Sequence, residues 1–229
     1  VGQGEFTAEG NAVRYGLYAI KSLGRPVIDS IIGERKKGGS YRTLQDFIER
    51  TVQRDINKRA IENLIKAGAC DGLDGNRHQM SIVYTSIVDD VVRRKKTGLE
   101  GQMSLFDFVG EEDKKDYEVH YPNVEEFPKE VLLGFEKEVL GIYLSGHPLE
   151  DYLGKMKKNV TANAADFVRE EESGTIRVTD NMHVVVGGMI AAKTVKYTRN
   201  NQAMAFLTVE DLTGSVEIIV FPKDYERYN

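Results

Sequence analysis

Residues 17–39 read LYAIKSLGRPVIDSIIGERKKGG, and the way this stretch turns decides the fold. Leu17 and Ile20 belong to a short apolar helix, which the small residues of Ser22-Leu23-Gly24 interrupt as a tight turn. Pro26 then falls where the first turn of a helix tolerates a residue without an N–H. Val27, Ile28, Ile31 and Ile32 follow on one face of a 3.6-residue period, and Gly38-Gly39 ends it. The stretch predicts a helix, a turn and a second helix.

Downstream, SYRTLQDFIERT (40–51) predicts a third helix, capped by Ser40 or Thr43, with Leu44, Phe47 and Ile48 on one face. INKRAIENLIKAGACDGL (56–73) predicts a fourth, with Ile61, Leu64 and Ile65 inward and a stop at Gly68. A second turn over 67–77 leads into HQMSIVYTSIVDDVVRRKK (78–96), a fifth helix whose stripe reads Ile82, Val83, Ile87, Val91 and Val92. The helix, hairpin, helix pattern therefore occurs twice. Upstream, residues 1–16 are glycine-rich, with Phe6, Val13 and Tyr15 too sparse for a strand, and read as an incoming loop.

Beyond the fifth helix, GQMSLFDF (101–108) sets Leu105, Phe106 and Phe108 in a segment too short for a buried helix or strand of its own. Residues 109–128 are acidic, carry Pro122 and Pro128, and read as a linker. In 129–156, Val131, Phe135, Val139 and Ile142 or Tyr143 predict a connecting helix up to Gly146, closed by Pro148. After Asn181 the period changes from 3.6 to 2, and 182–198, 203–214 and 215–222 predict three antiparallel strands, with a bulge or sharp coil at Gly187-Gly188. Three strands leave unpaired edges, as part of a larger sheet would.

The chain has 229 residues and a formal net charge of −5, unevenly distributed. Residues 1–100 carry 17 Lys/Arg against 13 Asp/Glu, residues 101–180 carry 9 against 18, and residues 181–229 carry 5 of each. A mildly basic front is hidden by an acidic middle. No apolar run approaches the length of about 20 residues that spans a bilayer, so no membrane partner is expected. Cys70, the one cysteine, excludes an internal disulfide framework, and no signal segment opens the chain, which fits a reducing cytoplasm. The four histidines lie far apart, giving no metal-site spacing, and Asp89-Asp90 are adjacent on a helix and point to different faces. No catalytic centre and no cofactor are expected.

A tandem hairpin unit of this kind holds a DNA backbone without reading bases, because the turn and the N-terminus of its second helix aim free N–H groups at a phosphate. The candidate backbone-binding residues are Lys21, Ser22, Gly24 and Arg25 in the first unit and Lys66, Gly68 and Arg77 in the second. Leu23 is the apolar pin, and Ser22 stands where the usual pattern has glycine.

In order, RYGLYAIKSLGRPVIDSIIGERKKGG, NKRAIENLIKAGACDGL, GQMSLFDF, EKEVLGIYLSGHPLEDY and the final strands resemble one family, the alpha subunits of bacterial DNA polymerase III, in the region after the catalytic palm and fingers. The resemblance implies an α+β chain. Its parts would be a mainly α-helical tandem helix-hairpin-helix domain over 1–98, a sliding-clamp-binding segment over 99–110, an acidic linker with the connecting helix over 111–181, and a truncated antiparallel OB-fold barrel over 182–229. It implies that Gln102, Ser104, Leu105 and Phe106 dock on the clamp, Gln102 at the rim of a pocket and Leu105 and Phe106 in apolar sub-sites. It also implies contact of the OB-fold with single-stranded template, for which Lys193, Lys196, Tyr197, Arg199 and Phe206 are the candidates. The segment would be non-catalytic, with Mg confined to an upstream polymerase domain of the parent. Two other readings share these modules: an independent DNA-repair accessory protein, and a clamp-binding scaffold whose hairpins only pack.

Overall fold

The structure, a computed structural model, describes residues 2–52, 56–99, 119–169 and 175–228, with the backbone alone for 95–99. It divides into two compact units, Val1–Ser145 and Gly146–Asn229. The first opens with a β-hairpin, β1 (Thr7–Glu9) against β2 (Ala12–Arg14), turning at Gly10 with φ 59°. The sequence reads here as a loop, because strands of three residues are too short to show an alternation. The Arg14 guanidinium, paired with the Glu9 carboxylate at 2.6 Å, and a Phe6–Tyr15 edge contact tie the two strands together.

A single 3-10 turn, Leu17–Ala19, leads to the tight turn and then to α1 (Arg25–Gly38), which has Pro26 in its first turn and Gly39 at its C-cap with φ 77°. Ile28, Ile31 and Ile32 are buried as the periodicity predicts. Helix α2 (Leu44–Thr51) is capped by Thr43, whose hydroxyl accepts from the Asp46 N–H at 3.0 Å, and buries Leu44, Phe47 and Ile48. Helix α3 (Lys58–Lys66) is capped by Asn57 and buries Ile61, Leu64 and Ile65. Full burial of each such side chain is worth about 1.5–3 kcal/mol, so these three short helices are held by their apolar faces more than by propensity.

Helix α4 (Arg77–Leu99) crosses α2 and α3. Its buried stripe is Met80, Val83, Ile87, Val88 and Val91. Ile82 and Val92 are about half exposed, at 49% and 50%, so the expected stripe is corrected by one residue at each end. The 3.6-residue period admits both choices over so apolar a run, and contact with α2 and α3 selects between them. Residues 119–128, without regular secondary structure, lead to α5 (Lys129–Leu140), which packs on α3 and ends at Gly141, in the left-handed conformation with φ 82°, not at Gly146. Its buried positions are Leu133, Glu136, Val139 and Leu140, whereas Val131 is exposed.

The second unit holds α6 (Leu153–Asn159), a 3-10 turn at Ala164–Phe167, a three-stranded antiparallel sheet in the order β3 (Met189–Tyr197), β4 (Ala203–Glu210), β5 (Ser215–Val220), and α7 (Pro222–Tyr228) against β4. The sheet is open, and no closed barrel forms among the described residues. The register slips between Ile190 and Ala192, a bulge two residues beyond the predicted glycine pair. Gly188 has a different task. A Cβ there would lie 2.6 Å from the Glu210 carbonyl oxygen, so glycine lets the start of β3 approach the end of β4.

Asp211 closes the β4–β5 turn. Its carboxylate accepts from the N–H groups of Thr213 and Gly214, from the Thr213 hydroxyl, and from the Ala164 N–H at 2.7 Å. Burial opposes its ionisation, but the donors at Ala164, Thr213 and Gly214 outweigh this and hold its pKa below the usual carboxylate range.

Candidate nucleic-acid interface

The first hairpin stands out from the domain on a buried base. Leu23 is buried as the pin, while Lys21, Ser22, Gly24, Arg25 and Pro26 are exposed. Two long-range hydrogen bonds set the turn. The Lys21 N–H donates to the Val139 carbonyl of α5 at 2.7 Å, and the Lys21 carbonyl accepts from the Asn63 amide of α3 at 3.0 Å. Asn63 is itself buried, a polar residue on the apolar face of α3, and its one visible signal is that interruption of the apolar run.

Ser22 adopts φ 63°, the left-handed region where glycine is at ease. The backbone thus supplies the bend the usual glycine would give, with a hydroxyl added. Gly24 is extended at φ −71° and forms the N-cap of α1 without a side-chain hydrogen bond. Among the described residues, no hydrogen bond engages the N–H of Ser22, Gly24 or Arg25. Donors without a protein partner at one turn and helix start, with Lys21 and Arg25 beside them, are the chemistry that an anion site requires. The Arg25 guanidinium lies 4.8 Å from the centroid of the Tyr18 ring, which fixes it beside the turn.

The second hairpin has the same outline and different chemistry. Gly68, at φ 74°, is the left-handed residue of a helix C-cap: its N–H donates to Ile65 O and the Ala69 N–H to Leu64 O, so both groups close α3. Lys66 pairs with Glu62 at 3.1 Å and Glu138 at 3.0 Å. Arg77 is buried and held in a fork by the Asp71 carboxylate at 2.8 and 2.7 Å, with Glu136 of α5 at 3.6 Å. Glu136, 1% exposed, also accepts from the N–H groups of Leu144 and Ser145 at 2.7 and 2.9 Å. Among the candidate residues of this hairpin, both cations are therefore committed to carboxylates. Glu136 was not legible in the sequence, since it reads as an ordinary charged helix position.

In the second unit the single-strand candidates divide between the two faces of the sheet. The cross-strand register and a Lys196–Phe206 contact of 4.8 Å put Lys196 and Phe206 on one face, beside Ile219. Lys193 and Tyr197 lie on the other, where Lys193 sits 4.9 Å from the Tyr225 ring of α7, and Arg199 is in the turn after β3. Gln102, Ser104, Leu105 and Phe106 lie outside the described residues.

Cys70 is buried, and burial pushes its thiol up to about 12, which makes it an inert core group. Among the described residues, no group of His, Cys, Asp or Glu could hold a metal ion and no helix is long and apolar enough to cross a membrane.

Residues 2–80 match the helix-hairpin-helix motif family, and residues 184–229 match the OB-fold nucleic acid binding domain family. DNA polymerase III subunit alpha of Borreliella burgdorferi is 35% identical over 98% of this chain, and that of Saccharopolyspora erythraea 34% over 98%. That of Thermus aquaticus is 33% identical over 97%. The matched region is 19%, 19% and 17% of those proteins, so the chain spans about a fifth of the length of these curated relatives.

Proposed function

Starting from its homology to one region of the DNA polymerase III alpha subunits, we propose that this chain is a non-catalytic, C-terminal segment of such a replicative DNA polymerase. It holds product duplex through backbone contacts at the first hairpin and binds the sliding clamp through Gln102, Ser104, Leu105 and Phe106. Nucleotide transfer and its Mg ions belong to a catalytic domain elsewhere in the parent.

The observation that carries this reading is the turn 22–25, where Ser22, Gly24 and Arg25 are exposed and their N–H groups have no acceptor among the described residues, with the Lys21 and Arg25 cations alongside. Such a site grips any phosphate, so binding is blind to sequence and steeply salt-dependent, log K falling by about 0.9 per log unit of salt for each phosphate engaged. The OB-fold adds a second nucleic-acid surface, where Lys196 and Phe206 supply a cation and a half-buried ring for single-stranded template. A clamp peptide of this kind binds at about micromolar strength, some −8 kcal/mol. Tethered beside a DNA-bound domain it acts at roughly millimolar effective concentration, and the two modest attachments together give processive hold.

Two titrations test the proposal. Gly24→Ala places a Cβ in ordinary contact, 3.6 Å from Pro26 Cδ, so the fold stands, and Gly24→Val adds bulk in front of the donors. The valine variant should weaken duplex binding about tenfold or more, a loss of about 1.4 kcal/mol or more, and leave clamp binding intact. Leu105→Ala with Phe106→Ala should abolish calorimetric binding to the clamp while duplex binding persists. Absence of salt-dependent duplex binding by the wild type would leave the scaffold reading in its place.

A further inference from the structure

The N-terminus of α4 is the element of the second hairpin that would face a phosphate, and it is already occupied. The Glu126 carboxylate accepts from the Arg77 N–H at 2.8 Å and from the His78 N–H at 3.0 Å. The remaining donors of that first turn are satisfied by a reciprocal cap, Gln79 N–H to Asn76 Oδ1 at 2.8 Å and Asn76 N–H to Gln79 Oε1 at 2.9 Å. The segment that carries Glu126 lies across the helix end. Asn76 Nδ2 donates to the Val124 carbonyl at 3.1 Å, Gln79 Nε2 donates to the Pro122 carbonyl at 2.8 Å, and the His78 ring stacks on Phe127 at 4.2 Å.

We infer that the second hairpin is the docking site of the chain's own segment 119–128, with Glu126 seated where a DNA phosphate would sit, and that duplex is gripped by the first hairpin alone. The two hairpins differ in what their donors do. Among the described residues, the first leaves the N–H groups of the exposed Ser22, Gly24 and Arg25 without an acceptor, whereas the second spends those of Gly68, Ala69, Arg77, His78 and Gln79 on protein acceptors. Charge points the same way. Around Lys66 and Arg77 stand Glu62, Asp71, Glu126, Glu136 and Glu138, so an approaching phosphate meets net negative charge. Solvent reaches Glu126, so its seat depends on donors, helix dipole and tether; a tethered carboxylate competes at roughly millimolar effective concentration or above. The connector after the clamp peptide is thereby anchored to the duplex-holding domain.

The duplex half of this inference rests on the proposed DNA-holding role; closure by Glu126 does not. Backbone amide exchange and chemical shifts, measured by NMR on the 229-residue chain, separate the two. Without DNA, Glu126→Ala should speed exchange at Arg77 and His78 by about tenfold or more, with Glu126→Gln intermediate and the other core amides unchanged. Unchanged exchange at 77 and 78 in a folded Glu126→Ala variant overturns the closure. With saturating duplex of random sequence, the amides of Ser22, Gly24 and Arg25 in the wild type should move while those of 77–79 stay fixed. Movement at 77–79 overturns the one-hairpin assignment. Failure of duplex to move any amide refutes the DNA-holding role and the duplex half with it, while the Glu126→Ala exchange decides the closure by itself.

Discussion

Ser22 and Gly68 occupy the same left-handed region of backbone space, at φ 63° and 74°, and experience it differently. The serine pays a steric cost that glycine avoids, about 1–2 kcal/mol for an L-residue in this region. Ser22→Gly should therefore raise the urea-unfolding free energy by about 0.5–1 kcal/mol, part of the relief being offset by the freer unfolded chain. Gly68→Ala should do the reverse. Its Cβ would lie 2.2 Å from Arg77 Nη2, a guanidinium already fixed in the Asp71 fork, and a loss of about 2–3 kcal/mol is expected from strain and displacement together. Asp211 gives a prediction with a sign. Its folded pKa is depressed, so the stability it adds is fully present above its unfolded pKa of about 3.9 and disappears as the pH falls through the lower folded value. Asp211→Asn turns an amide toward the buried Ala164 N–H and leaves that donor unpaired, which should cost about 2 kcal/mol at neutral pH. Acid titrations of both proteins by circular dichroism should converge as the wild-type carboxylate is protonated.

At the scale of elements, burial in α1, α2 and α3 was legible because each short apolar face has one reading at a 3.6-residue period. In α4 and α5 the apolar residues are dense enough to allow neighbouring stripes, and the chosen ones, with Met80 and Val88 in α4 and Leu133 in α5, depend on which helix packs opposite. The hairpin β1–β2 escaped notice because three-residue strands carry no period. Glu136 escaped for another reason: a carboxylate on a helix reads as surface until a partner cation is placed beside it. Its partner is Arg77, which joins the start of α4 to α5 through a buried pair and the Asp71 fork. Arg77→Met should destabilise the chain by about 3 kcal/mol in urea, because it removes the guanidinium beside the Glu136 carboxylate, 1% exposed, and leaves it only the Leu144 and Ser145 N–H groups as partners. Glu136→Gln combined with Arg77→Met should recover part of that loss.

For the molecule as a whole, the sequence by itself determined the order of a helix-hairpin-helix domain before an OB-fold, the α+β class, the places where α1 and α3 stop, and the first hairpin as a turn between basic residues. Each of these rests on local information: period, cap, glycine and proline, all set within a few residues. The tertiary structure decided which hairpin is open. Both carry glycine and flanking cations in the sequence, yet only contacts between residues far apart in the chain, Glu126 on the α4 terminus, Glu138 on Lys66 and Glu136 near Arg77, spend the donors and charges of the second. A helix end binds an anion by its unsatisfied N–H groups, and whether they remain unsatisfied depends on what the fold brings to them, which no local pattern records.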